Sequence, residues 1–560
     1  MLTAECLPIA VAPGFHRLFL DYCAGAAAAR SFYAPSSQAN PRLQEDENGL
    51  GQSQDGLGGW AMRRPAVPAH WPEIVSLLAE QNASPSPAAA GALEALGGGA
   101  GMVVTGQQVG LFGGPLFTPF KVATALARAR QATAAGWPHA AILWLATEAH
   151  DFAELNHVVF PARRQLHKIE YSAAPAVPRP VGGIILDDSI TPLIDEAREL
   201  LGDSEAMDAL SRAYRPGRTF AQAFRQFYAQ AFAAQGLLVL DASGRAAHRM
   251  AATVLRAAIE RADELHAALV ERNRQLEAAG YHAQVAVGPQ SSLLFLVDER
   301  TGARLALKRL APTAGEPEGI WQAGRQSYSA ADLVGILEAE PERISPSALL
   351  RPLFQDFLLS TSATVGGPAE VAYFAQSTVL FERILGRITP VLPRFSATLV
   401  EPATGELLKR HELTLQGVFQ QCSKGGAASL AHFLAARAIP GEGKQRLAEA
   451  GAALEAELTP LLEWMRLLDA DLGRSAGTAA SKMRYQMNRL RRLAGNFQLA
   501  REAALTRHAE TISQALYPGG VLQERLHGAA YYFARYGFGL AEELTAQAAN
   551  PCPGHTAVWL

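Results

Sequence analysis

The residues best suited to chemistry form a glycine-rich segment early in the chain. The segment reads Thr105-Gly106-Gln107-Gln108-Val109-Gly110-Leu111-Phe112-Gly113-Gly114-Pro115-Leu116. It separates a predicted strand at residues 102–105 from a predicted helix at residues 116–131, and open α/β sheets bind ligands at such junctions. Glycines let the backbone approach an anion, and the N–H groups at a helix N-terminus attract phosphate or carboxylate. We therefore expect an anion or nucleotide site that uses Thr105, Gly106, Gln107, Gln108, Gly113, Gly114 and Lys121; the alternative is a glycine-rich turn without a ligand.

A second polar segment follows the apolar run at residues 140–146. It reads Thr147-Glu148-Ala149-His150-Asp151, with Asn156 shortly after it. Histidine titrates near neutrality, so His150 is the expected general base, with Glu148 and Asp151 orienting an amine. A polar pocket for a nucleotide or amine is favoured over a metal site, because the spacing of His150 and His157 matches no zinc pattern. Helix-capping or salt-bridged carboxylates are the bland alternative.

A third cluster lies far along the chain. Arg351 precedes Gly366-Gly367-Pro368 and Glu370, and Arg394 follows. A second Gly-Gly-Pro before a predicted helix repeats the anion-binding logic, and arginine binds carboxylate or phosphate through two parallel hydrogen bonds. We expect Arg351, Gly366, Gly367, Glu370 and Arg394 to bind an anionic end of the substrate. Glu370 also suits a plain cap in the first turn of its helix.

The elements that position these segments predict an α/β core, doubly wound around a parallel sheet. Residues 140–146 and 236–240 are apolar throughout, which is typical of parallel strands covered on both faces. Strand, loop, helix and buried strand within about 45 residues make a right-handed βαβ unit. The ends of neighbouring strands meet at one edge, so the first two loops should open into one crevice.

The C-terminal third has a different pattern. Apolar residues step by three and four from Leu447 to Leu472 and again from Met483 to Phe497, which predicts an antiparallel helical hairpin broken at Gly473 and Gly477. Pro460 should kink or end its first arm. Two interpretations stay open: helices packed on the core, or a projecting coiled coil for self-association. The predicted domains are an N-terminal helical and loop region with a surface loop at 35–70, the core, the hairpin and a C-terminal helical segment, at 1–101, 102–440, 441–515 and 516–560.

Composition excludes several classes of protein. The 560 residues carry 50 Lys+Arg and 53 Asp+Glu, a formal charge of −3, which argues against a nucleic-acid partner. No apolar run reaches the roughly 18 residues of a membrane span, and no basic stretch precedes an apolar segment as in a secretory signal. The four cysteines are too few and scattered for a disulfide framework or a zinc site. We expect a cytoplasmic protein.

Together these segments resemble the BshC family of bacillithiol biosynthesis. The resemblance rests on Val104 to Gln108, Gly113-Gly114-Pro115-Leu116, Lys121, Trp144 to Glu148, His150-Asp151, Leu350-Arg351-Pro352, Gly366-Gly367-Pro368, Glu370, Pro393-Arg394, Tyr517-Pro518 and Leu522-Gln523-Glu524-Arg525. It covers nearly the whole chain. One departure is Ala149, where the family usually has aspartate, and it puts a base or metal role at that position in doubt.

The resemblance implies a Rossmann-like core related to class I synthetases and nucleotidylyltransferases, with connecting insertions and a coiled coil that pairs two protomers. It implies a ligase that joins L-cysteine to the amine of glucosaminyl-malate. Because a free carboxylate is a poor electrophile, ATP, with Mg²⁺, is the expected source of activation. Two alternatives stay open: a nucleotide-binding scaffold without catalysis, which Ala149 favours, and a nucleotidylyltransferase, for which the chain lacks a His-x-Gly-His signature.

Overall fold

A computed structural model describes residues 2–34, 59–61, 67–162, 165–310, 320–550 and 552–560. Most of the surface loop predicted at 35–70 lies outside these residues. The chain divides into two compact units. The first comprises Met1–Phe160, His167–Thr398 and Glu524–Val558, and the second comprises Pro161–Leu166, Leu399–Gln523 and Trp559–Leu560.

Fifteen strands are present in the described residues. In chain order they are β1 (Thr3–Leu7), β2 (Gly101–Gln107), β3 (His139–Leu145), β4 (His157–Ala162), β5 (Gln165–Glu170), β6 (Leu238–Asp241), β7 (Ser291–Val297), β8 (Arg304–Leu310), β9 (Ile320–Ala323), β10 (Gln326–Tyr328), β11 (Ile344–Pro346), β12 (Ala363–Gly366), β13 (Val391–Pro393), β14 (Ala397–Val400) and β15 (His555–Trp559).

The α-helices of the described residues are α1 (Arg17–Cys23), α2 (Ala27–Arg30), α3 (Trp71–Gln81), α4 (Pro87–Gly97), α5 (Phe117–Ala134), α6 (Phe152–Leu155), α7 (Ile190–Leu201), α8 (Glu205–Ala213), α9 (Phe220–Ala231), α10 (Arg245–Met250), α11 (Ala252–Glu260), α12 (Ala262–Ala278), α13 (Ala330–Ala339), α14 (Arg351–Leu359), α15 (Pro368–Leu385), α16 (Pro402–Arg410), α17 (Leu415–Ala438), α18 (Gly441–Leu468), α19 (Ala470–Arg501), α20 (Ala503–Leu516), α21 (Gln523–Leu526), α22 (Ala529–Tyr536) and α23 (Gly539–Ala549).

The centre of the first unit is a five-stranded sheet in the order β13-β12-β2-β3-β6. Its four strand pairings are all parallel, with Gly101 to Gln107 of β2 opposite His139 to Leu145 of β3. The interior residues of β2 and β3 are buried, as strands covered on both faces require. The predicted strands at 102–105, 140–146 and 236–240 and the helix at 116–131 are confirmed, as is the parallel α/β core.

Three further sheets are present in the part of the chain that the structure describes. One is an antiparallel sheet in the order β10-β9-β8-β7-β11, which the sequence analysis did not predict. Its strands carry few continuous apolar runs, since Lys308, Arg309 and Gln322 interrupt them. A three-stranded sheet has the order β1-β15-β14, and β4 pairs with β5.

The second unit contains the predicted helical hairpin, formed by α18 and α19. Arg484 is ion-paired with Glu455 at 2.7 Å, and the backbone of Gly473 lies against Arg466, so residues pair in antiparallel register. The predicted break at Gly473 and Gly477 is wrong, because both residues lie inside α19. The turn is instead at Asp469, whose side chain caps α19 by accepting hydrogen bonds from the backbone N–H groups of Asp471 and Leu472.

The proline of the first arm does not end it. Pro460 lies inside α18, which continues to Leu468. The arms leave many large apolar side chains exposed, among them Trp464, Leu467 and Phe497, which are 56%, 86% and 59% accessible. Phe497 belongs to the predicted apolar seams, as do the exposed side chains of Leu461, Leu468, Leu472, Met483 and Leu490. Trp464 and Leu467 are not seam positions and extend the exposed apolar surface beside them.

Two cysteines are bonded, although the sequence predicted no disulfide framework. Cys6, at the end of β1, forms a disulfide with Cys552, just before β15. The two cysteines are 546 residues apart in the sequence, but β1 and β15 are neighbours in one sheet, which brings them together. Cys23 and Cys422 are free thiols, and burial raises the pKa of both.

Candidate active site

A cavity of about 360 Å³ opens at the carboxyl edge of the parallel sheet. Its walls come from the loops after β2, β3, β12 and β13 and from helices α5, α14 and α15, so the predicted crevice exists and all its parts belong to the first unit. Of the predicted site residues, eight line it: Gly106, Gln107, Gln108, Lys121, Arg351, Gly367, Glu370 and Arg394.

Lys121 is fixed in the cavity wall by three acceptors. Its Nζ donates to the carbonyl of Gly106 at 2.8 Å and to Gln107 Oε1 at 3.1 Å, and it is 2.6 Å from Glu370 Oε2. An ammonium group has three protons, so all are used. Burial lowers the pKa of Lys121, against the opposing effect of the Glu370 carboxylate. Lys121 therefore shapes the wall and has no proton left for a ligand in this arrangement.

Glu370 performs the capping role that was its alternative. Its Oε2 also accepts a hydrogen bond of 2.7 Å from the backbone N–H of Gly367, at the N-terminus of α15. The carboxylate thus ties the start of α15 to Lys121 on α5. The Lys121–Glu370 pair thus connects two walls of the cavity, and the opposite charges of the two side chains compensate each other.

Arg394 is bound by a carboxylate of the protein itself. Its Nη2 is 2.6 Å from Glu524 Oε1 and its Nη1 is 3.0 Å from Oε2, and the two side chains are 3% and 0% exposed. Ser396 Oγ and the backbone N–H of Ala397 also donate to Glu524. Burial acts to raise the pKa of Glu524, but Arg394, together with His555 and the backbone N–H of Ala397, outweighs it and holds that pKa low. Glu524 therefore takes the bidentate contact of Arg394 that the sequence analysis assigned to substrate.

Two other guanidinium groups face the cavity without such partners. Within the described part of the chain, Arg351 and Arg525 make no hydrogen bond or ion pair, and Arg351 Nε is shielded from solvent. A shielded donor without an acceptor costs about 1–3 kcal/mol, which a ligand oxygen would recover. Arg351 and Arg525 thus have their whole guanidinium groups available to an anion, whereas Lys121 has no donor left and Arg394 has only its Nε.

Glu148 and His248 form a buried ion pair beside this cavity. His248 Nε2 is 3.1 Å from Glu148 Oε1, and His248 Nδ1 lies 3.1 Å from the carbonyls of Pro341 and Ile344. Burial acts to lower the pKa of His248, but the carboxylate and the two carbonyls raise it. Glu148 conversely keeps a low pKa because His248, Arg304 and Arg351 outweigh its burial. An ionised, paired Glu148 is a weak base and a fixed negative charge near Arg351.

His150 contacts an arginine. Arg304 Nη1 lies 3.0 Å from His150 Nδ1. Burial lowers the pKa of His150, and Arg304 lowers it further, against a smaller effect of Asp151. His150 is half-buried and neutral at pH 7. It follows Ala146, a cavity-wall residue, by four positions but does not itself line the cavity. Because a guanidinium can only donate, the lone pair of His150 Nδ1 is already used by Arg304.

Several predicted site residues are not in the cavity wall, and each has a structural contact instead. Thr105 Oγ1 donates to the carbonyl of Val365 at 3.0 Å, and Asn156 Nδ2 donates to the carbonyl of Tyr171 at 3.0 Å. Asp151 is exposed and caps α6. The remaining five are Glu148 and His150, whose contacts are given above, and Gly113, Gly114 and Gly366.

The two glycines before Pro115 allow a backbone conformation that other residues rarely adopt. Gly113 and Gly114 have φ values of 81° and 67°, the left-handed region that favours glycine. Gly113 N–H donates to Tyr214 Oη at 2.9 Å, and Tyr228 Oη donates to the Gly113 carbonyl at 2.7 Å. Buried tyrosines satisfy this part of the loop, and the part that lines the cavity is Gly106 to Gln108.

Sequence reasoning missed two residues, Arg525 and Arg304. Arg525 had a signal, since it belongs to the Gln-Glu-Arg tail on which the family resemblance rests. Arg304 had none, because it begins a strand of the unpredicted antiparallel sheet, 154 residues after His150.

The described residues place no three His, Cys, Asp or Glu side chains where they could hold a metal ion together. None of the described helices is long and apolar enough to cross a membrane.

Comparison with known proteins gives matches over nearly the whole chain. Residues 2–395 match the N-terminal Rossmann-like domain of the bacillithiol biosynthesis protein BshC, and residues 397–560 match its C-terminal coiled-coil domain. A protein of Koribacter versatilis is 39% identical over 99% of both chains. Proteins of Solibacter usitatus and Geobacillus kaustophilus are 34% and 30% identical, over 81% and 80% of this chain and 83% and 82% of theirs. Each carries the name "Putative cysteine ligase BshC".

Proposed function

The chain belongs to the BshC family of bacillithiol biosynthesis, whose members are named as cysteine ligases, and we propose that it joins L-cysteine to the amine of glucosaminyl-malate. The product is bacillithiol, a thiol of the cytoplasm, where we propose that the enzyme works. ATP is the proposed second substrate and Mg²⁺ would accompany it. ATP supplies the activation that the free carboxylate of cysteine lacks.

The observation that carries this proposal is the pair of unpartnered guanidiniums, Arg351 and Arg525, in a cavity whose other cations are engaged within the protein. The malyl group has two carboxylates, and a guanidinium binds a carboxylate through two parallel hydrogen bonds. Arg351 and Arg525 therefore match the doubly anionic end of the substrate in charge and number. The same donors suit phosphate oxygens, so the malyl group and ATP are the two ligands to compare.

The other cavity residues have supporting roles in the proposal. Gly106, Gln107 and Gln108 offer backbone and amide donors at the end of β2, and Gly367 offers close backbone approach at the start of α15. The Lys121–Glu370 and Arg394–Glu524 pairs fix the walls, so the site is organised before a ligand enters. We place the reacting end of the substrate toward Glu148 and His150.

The neutral amine nitrogen attacks the activated carboxyl carbon of cysteine, the nucleotide-derived phosphate group leaves with the electron pair of its bond to that carbon, and the amine proton passes to water or to an oxygen of the departing phosphate. Glu148 is paired and Asp151 is a cap, so neither matches a base with a pKa near neutrality. Burial and the Arg304 cation keep His150 neutral. In this proposal the neutral ring lies beside the reacting groups and adds no positive charge near the amine.

We also propose that two copies of the chain associate through the hairpin of α18 and α19. The proposal is supported by exposed members of its apolar seams, such as Leu461, Leu468 and Phe497, and by the exposed Trp464 and Leu467 beside them. Scattered apolar side chains are common on surfaces, but a continuous exposed seam marks an interaction site.

The test is an omission experiment with purified protein. ATP consumption should require both L-cysteine and glucosaminyl-malate. Pyrophosphate release that needs glucosaminyl-malate but not cysteine would indicate a nucleotidylyltransferase, and binding without any consumption would indicate a scaffold. The Arg351→Met variant should lose the reaction, while Arg130→Met, which removes a surface arginine paired with Glu542, is the control.

A further inference from the structure

Arg304 makes an unusual set of contacts for a buried cation. It is 5% exposed, its Nε donates to Ser345 Oγ at 3.0 Å, and its Nη2 donates to the carbonyl of Pro346 at 3.1 Å. Its guanidinium carbon lies 3.7 Å from the centre of the Phe295 ring. Among the described residues it forms no ion pair with a carboxylate, and its remaining side-chain contact is His150 Nδ1.

A buried arginine without a carboxylate partner is costly, so its placement needs an explanation. Burial lowers the pKa of Arg304 to about 10, partly offset by the nearby Glu148, so the group stays charged at neutral pH. Its stem and two of its nitrogens are held by Phe295, Ser345 and Pro346. The third nitrogen is thereby aimed at the imidazole and cannot easily turn away.

The chemistry of the two groups fixes the direction of the bond. A guanidinium only donates, so His150 Nδ1 must be the acceptor. An imidazole whose Nδ1 accepts has no proton there, and when neutral it carries its proton on Nε2. A general base would need a free lone pair on the nitrogen that faces substrate, yet the free nitrogen, Nε2, already holds a proton.

We propose that Arg304 is a positioning residue that holds His150 in the Nε2–H tautomer, so that His150 donates a hydrogen bond to an oxygen of the reacting groups and does not accept the amine proton. This deepens the proposed function, on which the donor role rests. The developing negative charge on a carbonyl oxygen under attack, or on a phosphoryl oxygen, is the class of acceptor that such a donor stabilises. A neutral donor also leaves the nearby amine unprotonated.

The contrast with His248 supports the assignment. His248 Nδ1 faces two carbonyls and its Nε2 lies 3.1 Å from a carboxylate, so the surroundings suit the charged form of the ring. His150 Nδ1 faces a cation. The partners of these two histidines therefore favour opposite protonation states, and His150 Nε2 makes no hydrogen bond within the described residues.

The first test reads the tautomer without turnover. In protein labelled with ¹⁵N-histidine, the ring signals of His150 are assigned from their loss in the His150→Gln variant. At pH 7.5 we expect a protonated Nε2 and an unprotonated Nδ1. Arg304→Met should shift the ring toward the Nδ1–H form or the imidazolium, whereas Lys308→Met, which removes an exposed cation from the same strand, should leave it unchanged. A wild-type ring protonated on Nδ1 would overturn the proposal, whether or not any variant folds.

The second test separates a donor from a base. Glutamine places an amide N–H near the position of Nε2, whereas asparagine places it near Nδ1. A donor role predicts that His150→Gln keeps kcat within about tenfold and that His150→Asn loses about ten- to a hundredfold. Equal losses of 10²-fold or more in both variants are the mark of a base and would refute the donor role. If wild-type protein forms no product but shows the Nε2–H ring, the proposed reaction fails while the positioning by Arg304 stands.

Discussion

Arg351 and Arg394 line the same cavity, yet the structure predicts opposite consequences of their loss. Arg394→Met would leave the Glu524 carboxylate, which is 0% exposed, without its bidentate partner. Removing one member of a buried pair typically costs 3–5 kcal/mol, because an uncompensated charge stays behind. We therefore expect the free energy of unfolding to fall by about 3–5 kcal/mol. Arg351→Met breaks no ion pair among the described residues, so its loss should stay below about 1 kcal/mol.

Ligand affinity should follow the reverse order. Arg351 is available to a carboxylate, and a hydrogen bond to a charged group contributes about 1.5–3 kcal/mol, which corresponds to roughly ten- to a hundredfold in Kd. Urea unfolding followed by circular dichroism gives the stabilities, and calorimetric titration with glucosaminyl-malate gives the affinities, with Arg130→Met as a surface control. The reasoning is refuted if Arg394→Met is as stable as the wild type, or if Arg351→Met binds as tightly as the wild type.

Three other perturbations test separate parts of the structure. His555 is neutral because burial lowers its pKa to about 4, so the unfolded chain binds its proton first as pH falls below 6.5. The free energy of unfolding should therefore drop by up to about 3 kcal/mol between pH 6.5 and 4. His555→Gln should reduce this dependence on pH in urea titrations, and a variant with the same pH dependence as the wild type would contradict the assignment. Gly113→Ala would place an alanine at a left-handed φ and its Cβ 2.7 Å from the Phe227 ring. We expect the free energy of unfolding, measured by urea denaturation, to fall by about 2–4 kcal/mol. An unchanged free energy of unfolding would show that the turn relaxes freely. Trp464→Glu with Leu467→Glu should convert a dimer into monomers by light scattering, and a persistent dimer would place the interface elsewhere.

The parallel sheet could be predicted because its strands are short apolar runs between glycine-rich turns. Residues 140–146 are apolar throughout, and the run has the length of a strand. It is too short for a buried helix, which excludes the helical interpretation. The antiparallel sheet could not be predicted, since its strands are half-exposed and carry charges. The turn of the hairpin at Asp469 was not predicted, because the prediction relied on glycines and chose Gly473. An aspartate that caps the following helix can also form such a turn, and Asp469 does so.

The candidate site was predicted in its location but not in its partners. Residue type indicates that Arg394 and Lys121 are cations, and only the fold shows that carboxylates of the protein already bind them. Glu524 lies 130 residues after Arg394, and no local pattern links the two. For the same reason His150 looked like a base from its type alone, and the Arg304 guanidinium at its Nδ1 became visible only in three dimensions.

The most direct test of the proposed function uses L-cysteine labelled with ¹⁸O in its carboxylate, incubated with the protein, ATP, Mg²⁺ and glucosaminyl-malate. Mass spectrometry should find the amide-linked thiol retaining one ¹⁸O and a phosphate or AMP carrying the other, because activation transfers one carboxylate oxygen to the nucleotide-derived group. Product formation without labelled phosphate or AMP would contradict ATP-dependent activation. Absence of the amide-linked thiol, with folded protein and all components present, would contradict the ligase itself.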